Sequence, residues 1–220
     1  MRTTTLASAA AALAACGSTG AFRQAALFRE CHAGEQSCKS LAPGAPLAVG
    51  ARLRPDVDIE IAGSATPDVR VMSGRPDVVG DDGGILRGIS PGVAPILISA
   101  DDGTVIDFVH VWVATPTRLT AMASLARTDA PEELTAPLQL VSGESRWITP
   151  AIFGGAQRLA GAGDISWTVE CDAGAACPQI ALLTDGAPDR RRLVARTPGK
   201  ARVVLEGLGL HANVDVEVVP

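Results

Sequence analysis

A repeated pattern of short alternating strands constrains this chain more than any other feature. Apolar and polar residues alternate through segments such as 57–61, 109–113 and 214–218. A period of two is typical of a strand with one buried face. Residues 86–96 also align without a gap with residues 193–203, and each copy carries a Pro-Gly pair before an apolar strand. A unit that occurs twice, with short strands and frequent turns, predicts two tandem β-sandwiches.

Turn residues divide the chain at regular intervals. Asp-Asp-Gly sequences at 81–83 and 101–103 suit tight turns, because Gly and Asp accept the positive φ angles that hairpins require. Pro116 closes the first repeat, so we predict a first domain over 46–115 and a second over 116–220. Residues 16–45 are expected to form an anchor, a tether and a lead-in, in which 22–30 is either a short helix or a first strand.

The N-terminus has the layout of an export signal. Arg2 precedes an apolar run over 6–13, which is too short to span a bilayer, and the run ends in Leu-Ala-Ala-Cys-Gly at 13–17. This ending resembles the lipobox of bacterial lipoproteins. The resemblance implies that 1–15 is a cleaved signal peptide and that Cys16 carries a diacylglyceryl group and an amide-linked acyl chain such as palmitate.

An alternative is an ordinary signal peptide cleaved near Ala15, which would leave Cys16 as a free thiol. Two or three acyl chains anchor a protein durably, since each buried methylene contributes about 0.8 kcal/mol. Gly17 stands where lipoproteins kept at the inner membrane usually have Asp. The resemblance therefore implies a cell-envelope location, at the outer membrane if the source has two membranes.

Four cysteines remain after Cys16: Cys31, Cys38, Cys171 and Cys177. An even number in an exported chain predicts two disulfides, and four cysteines allow three connectivities. The local pairs Cys31–Cys38 and Cys171–Cys177 are preferred, because each closes a short loop with a Gly near its middle. The alternative is a metal site that includes His32, but zinc sites use a tighter cysteine spacing, so we predict no metal.

The repeated motif resembles a known family. It reads Gly-x-Leu-x-Gly, then Pro-Gly-x-Ala-x-Ile, then a hairpin and Val-x-Val-x-Val, and it is similar to the group 2 type of bacterial immunoglobulin-like domain. The matching positions are Gly84, Leu86, Gly88, Gly92, Ala94, Ile96 and 109–113 in the first repeat, and Trp167, Leu193, Gly199, Ala201 and Val203 in the second.

The match has three departures. The first repeat has Val71-Met72 where the family often has Trp, and the second has Arg191 in place of the leading Gly and an inserted loop at 171–177. The resemblance implies immunoglobulin-like sandwiches. It also implies a non-catalytic module of a surface, adhesive or envelope protein.

Residues that could carry chemistry are sparse. A net charge of −5 leaves no basic surface for nucleic acid. The histidines at 32, 110 and 211 lack ligand spacing, and no nucleophile or phosphate-binding motif occurs. The aspartates at 81–82 and 101–102 fit hairpin chemistry better than a calcium loop. We therefore predict that the chain is not an enzyme and has no cofactor.

Two groups of residues are candidates for partner binding. Arg190, Arg191 and Arg192 form a basic cluster that could contact a partner or anionic lipid headgroups, or could be a solvated loop. Trp112, Trp147 and Trp167 lie in alternating segments, which favours core or interdomain packing over a sugar-binding platform.

Together these features predict a lipid-anchored envelope protein that displays immunoglobulin-like domains for protein interaction or adhesion. The alternative is a module that binds carbohydrate or another envelope polymer. The expected partners of the chain are the membrane, through the lipid, and a protein or envelope polymer. The loops of the second domain, including 171–177 and 190–192, are the expected contact surface, because loops on rigid scaffolds commonly carry binding residues.

Overall fold

The computed structural model describes residues 22–29, 44–61, 68–171, 177–184 and 190–220. Within these ranges every regular element is a β-strand, which confirms the all-β prediction. The strands are β1 (Phe22–Arg29), β2 (Leu47–Ala48), β3 (Arg52–Leu53), β4 (Pro55–Ile61), β5 (Val69–Ser73), β6 (Val79–Asp82), β7 (Ile85–Gly88), β8 (Gly92–Ala100), β9 (Val105–Ala114), β10 (Arg118–Ser124), β11 (Glu132–Glu133), β12 (Leu138–Val141), β13 (Ser145–Gly154), β14 (Gln157–Arg158), β15 (Ser166–Cys171), β16 (Ile180–Leu183), β17 (Arg191–Ala195), β18 (Gly199–Gly207) and β19 (Leu210–Val219).

The second half of the chain is built from two sheets. One has the strand order β11-β10-β13-β17-β16, with β14 also paired to β13, and the other has the order β12-β19-β18-β15. Strand β12 runs parallel to β19, while β18 is antiparallel to both β15 and β19. In an immunoglobulin-type sandwich, one sheet has the first, second, fifth and fourth main strands side by side in that order. Strands β10, β13, β17 and β16 have this order.

The first half repeats this plan. Its sheet β2-β9-β8-β5 corresponds to β12-β19-β18-β15, including a parallel pairing of β2 with β9. A second sheet has the order β3-β7-β6, and β1 pairs with β4 in an antiparallel ladder. The strand alternative is therefore the right one for residues 22–29, and β1 pairs with a strand of the predicted first domain.

Alternation along the strands decides which side chains enter the core. On β18, Ala201, Val203 and Leu205 are buried, and Val214, Val216 and Val218 on β19 are buried beside them. The positions of β8 that correspond to those of β18 are Ala94, Ile96 and Ile98, and they are buried too. Fully burying one such aliphatic side chain contributes roughly 1.5–3 kcal/mol. The pattern of period two thus supplies the inner face of each sandwich.

The two units are joined by main-chain hydrogen bonds. The Ala160 amide donates to the Pro46 carbonyl at 2.7 Å, and the Ala48 amide donates to the Ala160 carbonyl at 3.0 Å. Arg52 and Ala162 exchange a reciprocal pair of bonds at 2.9 and 2.7 Å. Residues 46–52 of the first unit therefore pair with 160–162 of the second. We call these two segments the joint.

Side chains close the joint as well. Gly161 has a φ of +99°, and a Cβ atom there would lie 2.7 Å from Leu47 Cδ1 and 2.8 Å from Ala51 Cβ. The tip of the β18–β19 hairpin presents Leu208, whose Cδ2 would lie 3.0 Å from a Cβ at Gly50. A single cluster of buried side chains includes Leu47, Leu86, Leu193 and Leu205 and so extends through both units. The units share packing as well as hydrogen bonds.

Candidate functional site

Strand β9 exposes a row of aromatic side chains. Val113 points into the core, so the alternate residues Phe108, His110 and Trp112 point the other way, and all three are exposed. Phe108 is 54% exposed and Trp112 is 59% exposed. The rings of Phe108 and His110 meet edge to face, with centroids 5.4 Å apart at 88°. The expectation that Trp112 takes part in core or interdomain packing is wrong, because it occupies an outward, exposed position of an alternating strand.

Apolar residues of β5 and β8 extend this row into a face. The register places Met72 beside Leu97 and Leu97 beside Phe108, while Pro95 lies opposite His110 and Val93 opposite Trp112. Met72 is 46% exposed. We call this surface the aromatic face, and its members are Met72, Val93, Pro95, Leu97, Phe108, His110 and Trp112.

The aromatic face carries no carboxylate, ammonium or guanidinium group of its own. At its edge, Arg70 lies in register with Ser99 and forms an ion pair with Asp101, at 3.1 Å between Nε and Oδ1. Two opposite charges at this distance largely cancel at longer range. Among the described residues, the members of this face therefore carry no acidic or permanently basic group, and His110 is their hydrogen-bonding group.

The corresponding surface of the second unit is polar. When the hairpins are superposed by register, Phe108, His110 and Trp112 correspond to Asn213, Asp215 and Glu217. On the neighbouring strand, Pro95 and Val93 correspond to Arg202 and Lys200. We call this surface the charged face, and its members are Glu170, Lys200, Arg202, Asn213, Asp215 and Glu217.

An ion pair, a side-chain hydrogen bond and a cleft characterise the charged face. Arg202 Nε lies 2.8 Å from Asp215 Oδ1, and Gln139 Nε2 donates to Glu217 Oε2 at 3.4 Å. A cleft of about 480 Å³ lies over the sheet here, lined by residues that include Glu170, Lys200 and Arg202. Half-exposed pairs of this kind contribute little to stability.

The predicted cysteine sites are only partly within the described residues. Cys171 and Cys177 are joined by a disulfide with a Cα–Cα distance of 5.4 Å, in agreement with the local pairing expected for them. Cys16, Cys31 and Cys38 lie outside the described residues, so lipidation of Cys16 and the Cys31–Cys38 pair stay predictions.

The basic cluster is not a solvated loop. Arg190 is only 4% exposed, and its guanidinium carbon lies 5.2 Å from the centroid of the Trp147 ring. Arg191 begins β17, which lies between β13 and β16, and its guanidinium carbon lies 5.5 Å from the Trp167 ring centroid. That part of the prediction is wrong, because planar guanidinium groups stack on aromatic rings and become part of the packing.

Arg192 differs from its two neighbours. It is exposed on β17, and its Nε and Nη2 donate to Ser145 Oγ at 3.2 and 3.1 Å. A binding role for the cluster stays a prediction, and by exposure it falls mainly to Arg192. Trp167 packs against the main core and Trp147 is half-buried beneath Arg190, so these two tryptophans contribute to packing as expected.

The aspartates of the turns bind the main chain. The Gly84 amide donates to Asp81 Oδ1 at 3.0 Å, and the Thr104 amide donates to Asp102 Oδ1 at 2.9 Å. The second bond lowers the pKa of the Asp102 carboxyl below its usual value. These oxygens therefore serve the hairpins, as expected from the Asp-Gly sequences.

Among the described residues, no three His, Cys, Asp or Glu side chains are grouped closely enough to hold a metal ion. In the same part of the chain, no helix has the length and apolar character needed to cross a bilayer.

No family model and no curated protein sequence matches this chain. The chain is similar to domains 4 and 5 of the S-layer protein SbsC, with a TM-score of 0.34 and 12% identity over 80% of this chain and 94% of that one. It is also similar to the Escherichia coli adhesin FdeC, with a TM-score of 0.33 and 14% identity over 89% of this chain and 64% of that one. For the Yersinia pseudotuberculosis adhesin InvE the TM-score is 0.32 at 13% identity, over 93% and 62%.

The chain covers only 28% of a longer S-layer structure, SbsC residues 31–844. All of these TM-scores are below 0.5, so the class of this protein rests on its own strand order. That order defines it as an all-β protein of two sandwich-like units.

Proposed function

We propose that this chain is a non-catalytic interaction protein of the bacterial cell envelope, anchored by lipid on Cys16 and built from two immunoglobulin-like units over about 46–115 and 116–220. The observation that supports an interaction role is the aromatic face. Contiguous apolar side chains exposed on a domain commonly mark a binding surface. The members of the aromatic face lie side by side on three neighbouring strands, and two of their rings are more than half exposed.

The joint supports a rigid presentation of this surface. Four main-chain hydrogen bonds connect 46–52 with 160–162, and apolar side chains pack around them. A binding surface held on regular strands keeps its geometry better than one on loops. The proposed pair of units would therefore present the aromatic face in a constant orientation to the remainder of the chain.

Binding of carbohydrate or another envelope polymer is the second candidate function. The observation that favours it is the exposure of Trp112, because an accessible aromatic ring beside polar groups suits a sugar. The two candidates predict the same contact surface. They differ in whether the ligand is a protein or a polymer of the envelope.

Co-sedimentation with detergent-washed cell envelopes tests the interaction role. We expect the processed chain, residues 16–220 in detergent micelles, to co-sediment with the envelopes. The double variant F108A/W112A should lose most of this binding. Leu125→Ala is the matched control, because Leu125 is 68% exposed and lies outside the aromatic face. No co-sedimentation of the wild type, or equal binding by the double variant, would contradict the proposal.

Lipid anchoring has a separate test. Replacement of Cys16 by Ser should abolish incorporation of labelled palmitate and release the protein from the membrane pellet. Cys177→Ser is the control, because it removes a cysteine that the structure places in a disulfide. If the Cys16→Ser protein still incorporates the label, the anchor lies elsewhere.

A further inference from the structure

We propose that the aromatic face binds an extended, electrically neutral glycan that lies along strand β9. This inference rests on the proposed interaction function and names the ligand class of that surface. Three properties of the surface support it: the spacing of its rings, its lack of charge and its limited area.

The three side chains form a regular row, in which the rings of Phe108 and His110 meet edge to face. Phe108, His110 and Trp112 are alternate residues of one strand, so successive side chains are spaced about 7 Å apart along it. A sugar ring presents C–H groups on its flat side, which pack against the negative face of an aromatic ring, and hydroxyl groups around its edge. Phe108 and Trp112 supply apolar surface at the two ends of the row, and His110 supplies ring nitrogens that can bond hydroxyls between them.

The charge of the surface selects between polymers. No member of the aromatic face is acidic or permanently basic, and at its edge Arg70 is paired with Asp101. A phosphate-rich or uronic-acid-rich polymer would gain no ionic contact from the members of this face. The charged face of the second unit shows that the same sheet can present ions, since it has Lys200, Arg202 and Asp215 at the corresponding positions. The aromatic face therefore suits a neutral chain.

The area of the surface argues against a second copy of the chain. Aromatic side chains have roughly 150–250 Å² of surface each, so Phe108 and Trp112, which are about half exposed, offer roughly 200 Å² together. Met72 and His110 add exposed surface of smaller side chains, and Val93, Pro95 and Leu97 are more buried. A stable protein interface needs about 800 Å² from each partner. Strand β9 also lies between β2 and β8 in its sheet, so it offers no free edge to a peptide strand. A narrow ligand that stacks on the face fits these limits.

Titration with neutral oligosaccharides tests the inference. The probes are chitohexaose, cellohexaose and maltohexaose, and the charged comparison is an alginate oligomer. The protein is the processed chain in detergent micelles, and binding is followed by calorimetry and by tryptophan fluorescence. We expect at least one neutral probe to saturate the protein, and we expect Trp112→Ala and Phe108→Ala each to weaken that binding about tenfold.

Control measurements on the variants distinguish a loss of ring stacking from a loss of folding. Leu125→Ala should bind as the wild type does, and each variant should have an unchanged unfolding midpoint, since Phe108 and Trp112 lie outside the core. The fluorescence change on binding should also vanish in Trp112→Ala, although Trp147 and Trp167 remain. A change that persists in that variant would place the ligand elsewhere and overturn the inference.

Three other outcomes would also overturn it. They are an absence of binding to all neutral probes, tighter binding of the alginate oligomer, and a concentration-dependent dimer that Trp112→Ala abolishes. If the neutral probes fail while envelope co-sedimentation still requires Phe108 and Trp112, the glycan inference is wrong and the interaction function stands. If co-sedimentation itself fails, the interaction function is wrong.

Discussion

The two units share their inner faces and differ in their outer ones. Leu86, Ala94 and Ile96 correspond to Leu193, Ala201 and Val203, and all six are buried. On the outside of the same strands, an aromatic row in the first unit corresponds to a row of Asn, Asp and Glu in the second. Packing between sheets constrains every inward position, whereas outward side chains contact only solvent or a binding partner. At these corresponding positions the outward side chains have therefore diverged, on a surface where binding can change without loss of the fold.

The hairpins that end the two units differ in the same way. The first turns through Asp101, Asp102 and Gly103, whose polar groups face solvent. The second turns through Leu208 and Gly209, and Leu208 has a φ of +55°, which is unfavourable for a leucine. Leu208 packs toward Gly50 and Gly163, so this hairpin contributes to the joint. The first turn only reverses the chain, whereas the second also contacts the neighbouring unit.

The largest expected effect compares the two cores directly. Leu86→Ala and Leu193→Ala remove corresponding buried side chains, and each should lower the free energy of unfolding by about 2–5 kcal/mol. Because one buried cluster extends through both units, each variant should shift a single unfolding transition of the whole chain. Denaturant unfolding followed by tryptophan fluorescence and by circular dichroism measures this. Two separate transitions, each sensitive to only one variant, would show that the units fold independently.

The next comparison isolates the joint. Gly161→Ala should cost about 2–4 kcal/mol, because a Cβ there adds a clash with Leu47 and Ala51 to the strain of a positive φ. Gly155→Ala is the control, since Gly155 also has a positive φ (+62°) but has no atom within 4 Å of a Cβ. It should cost only the backbone strain, about 1 kcal/mol. Equal losses for the two variants, by thermal or chemical unfolding, would rule out tight packing at Gly161.

A smaller effect is expected at the tip of the second hairpin. Leu208→Asn should relieve backbone strain, because Asn accepts a positive φ, but it removes the apolar contact with the first unit. We expect a net loss of about 1 kcal/mol in unfolding free energy. Leu208→Ala separates the two terms, since it keeps the backbone strain of a positive φ and removes the apolar contact. A gain in stability for either variant would show that Leu208 does not hold the units together.

The smallest expected effect is a pH dependence in the first hairpin. The Thr104 amide lowers the pKa of Asp102, so this carboxylate stabilises the fold above its unfolded pKa, and the contribution is lost as the pH falls through the lower, folded pKa. The stability difference between the wild type and Asp102→Asn should therefore shrink as the pH is lowered below about 4. Unfolding midpoints measured across the acid range check this. A difference that stays constant with pH would mean that the turn does not depend on the charge of Asp102.

Particular residues show how far the sequence alone could lead. The alternation at 109–113 and 214–218 predicts strands and their inner faces, and the Cys171–Cys177 spacing predicts the disulfide that the structure contains. The sequence analysis favours core or interdomain packing for Trp112, although the same alternation that buries Val113 places Trp112 outside. The signal for the aromatic face is present in Phe-x-His-x-Trp at 108–112, but the general tendency of tryptophan to be buried points the other way.

The sequence by itself determined the strand class, the repeat and the positions of the turns, because these depend on neighbours within a few residues along the chain. The tertiary structure alone decided that β1 pairs with β4, that Arg190 is buried over Trp147, and that Gly161 lies against Leu47. Each of these contacts joins residues that are far apart in the chain. Alternation indicates that a strand has two faces. Only the arrangement of the sheets in space decides which part of the chain covers each face and which face remains open to a ligand.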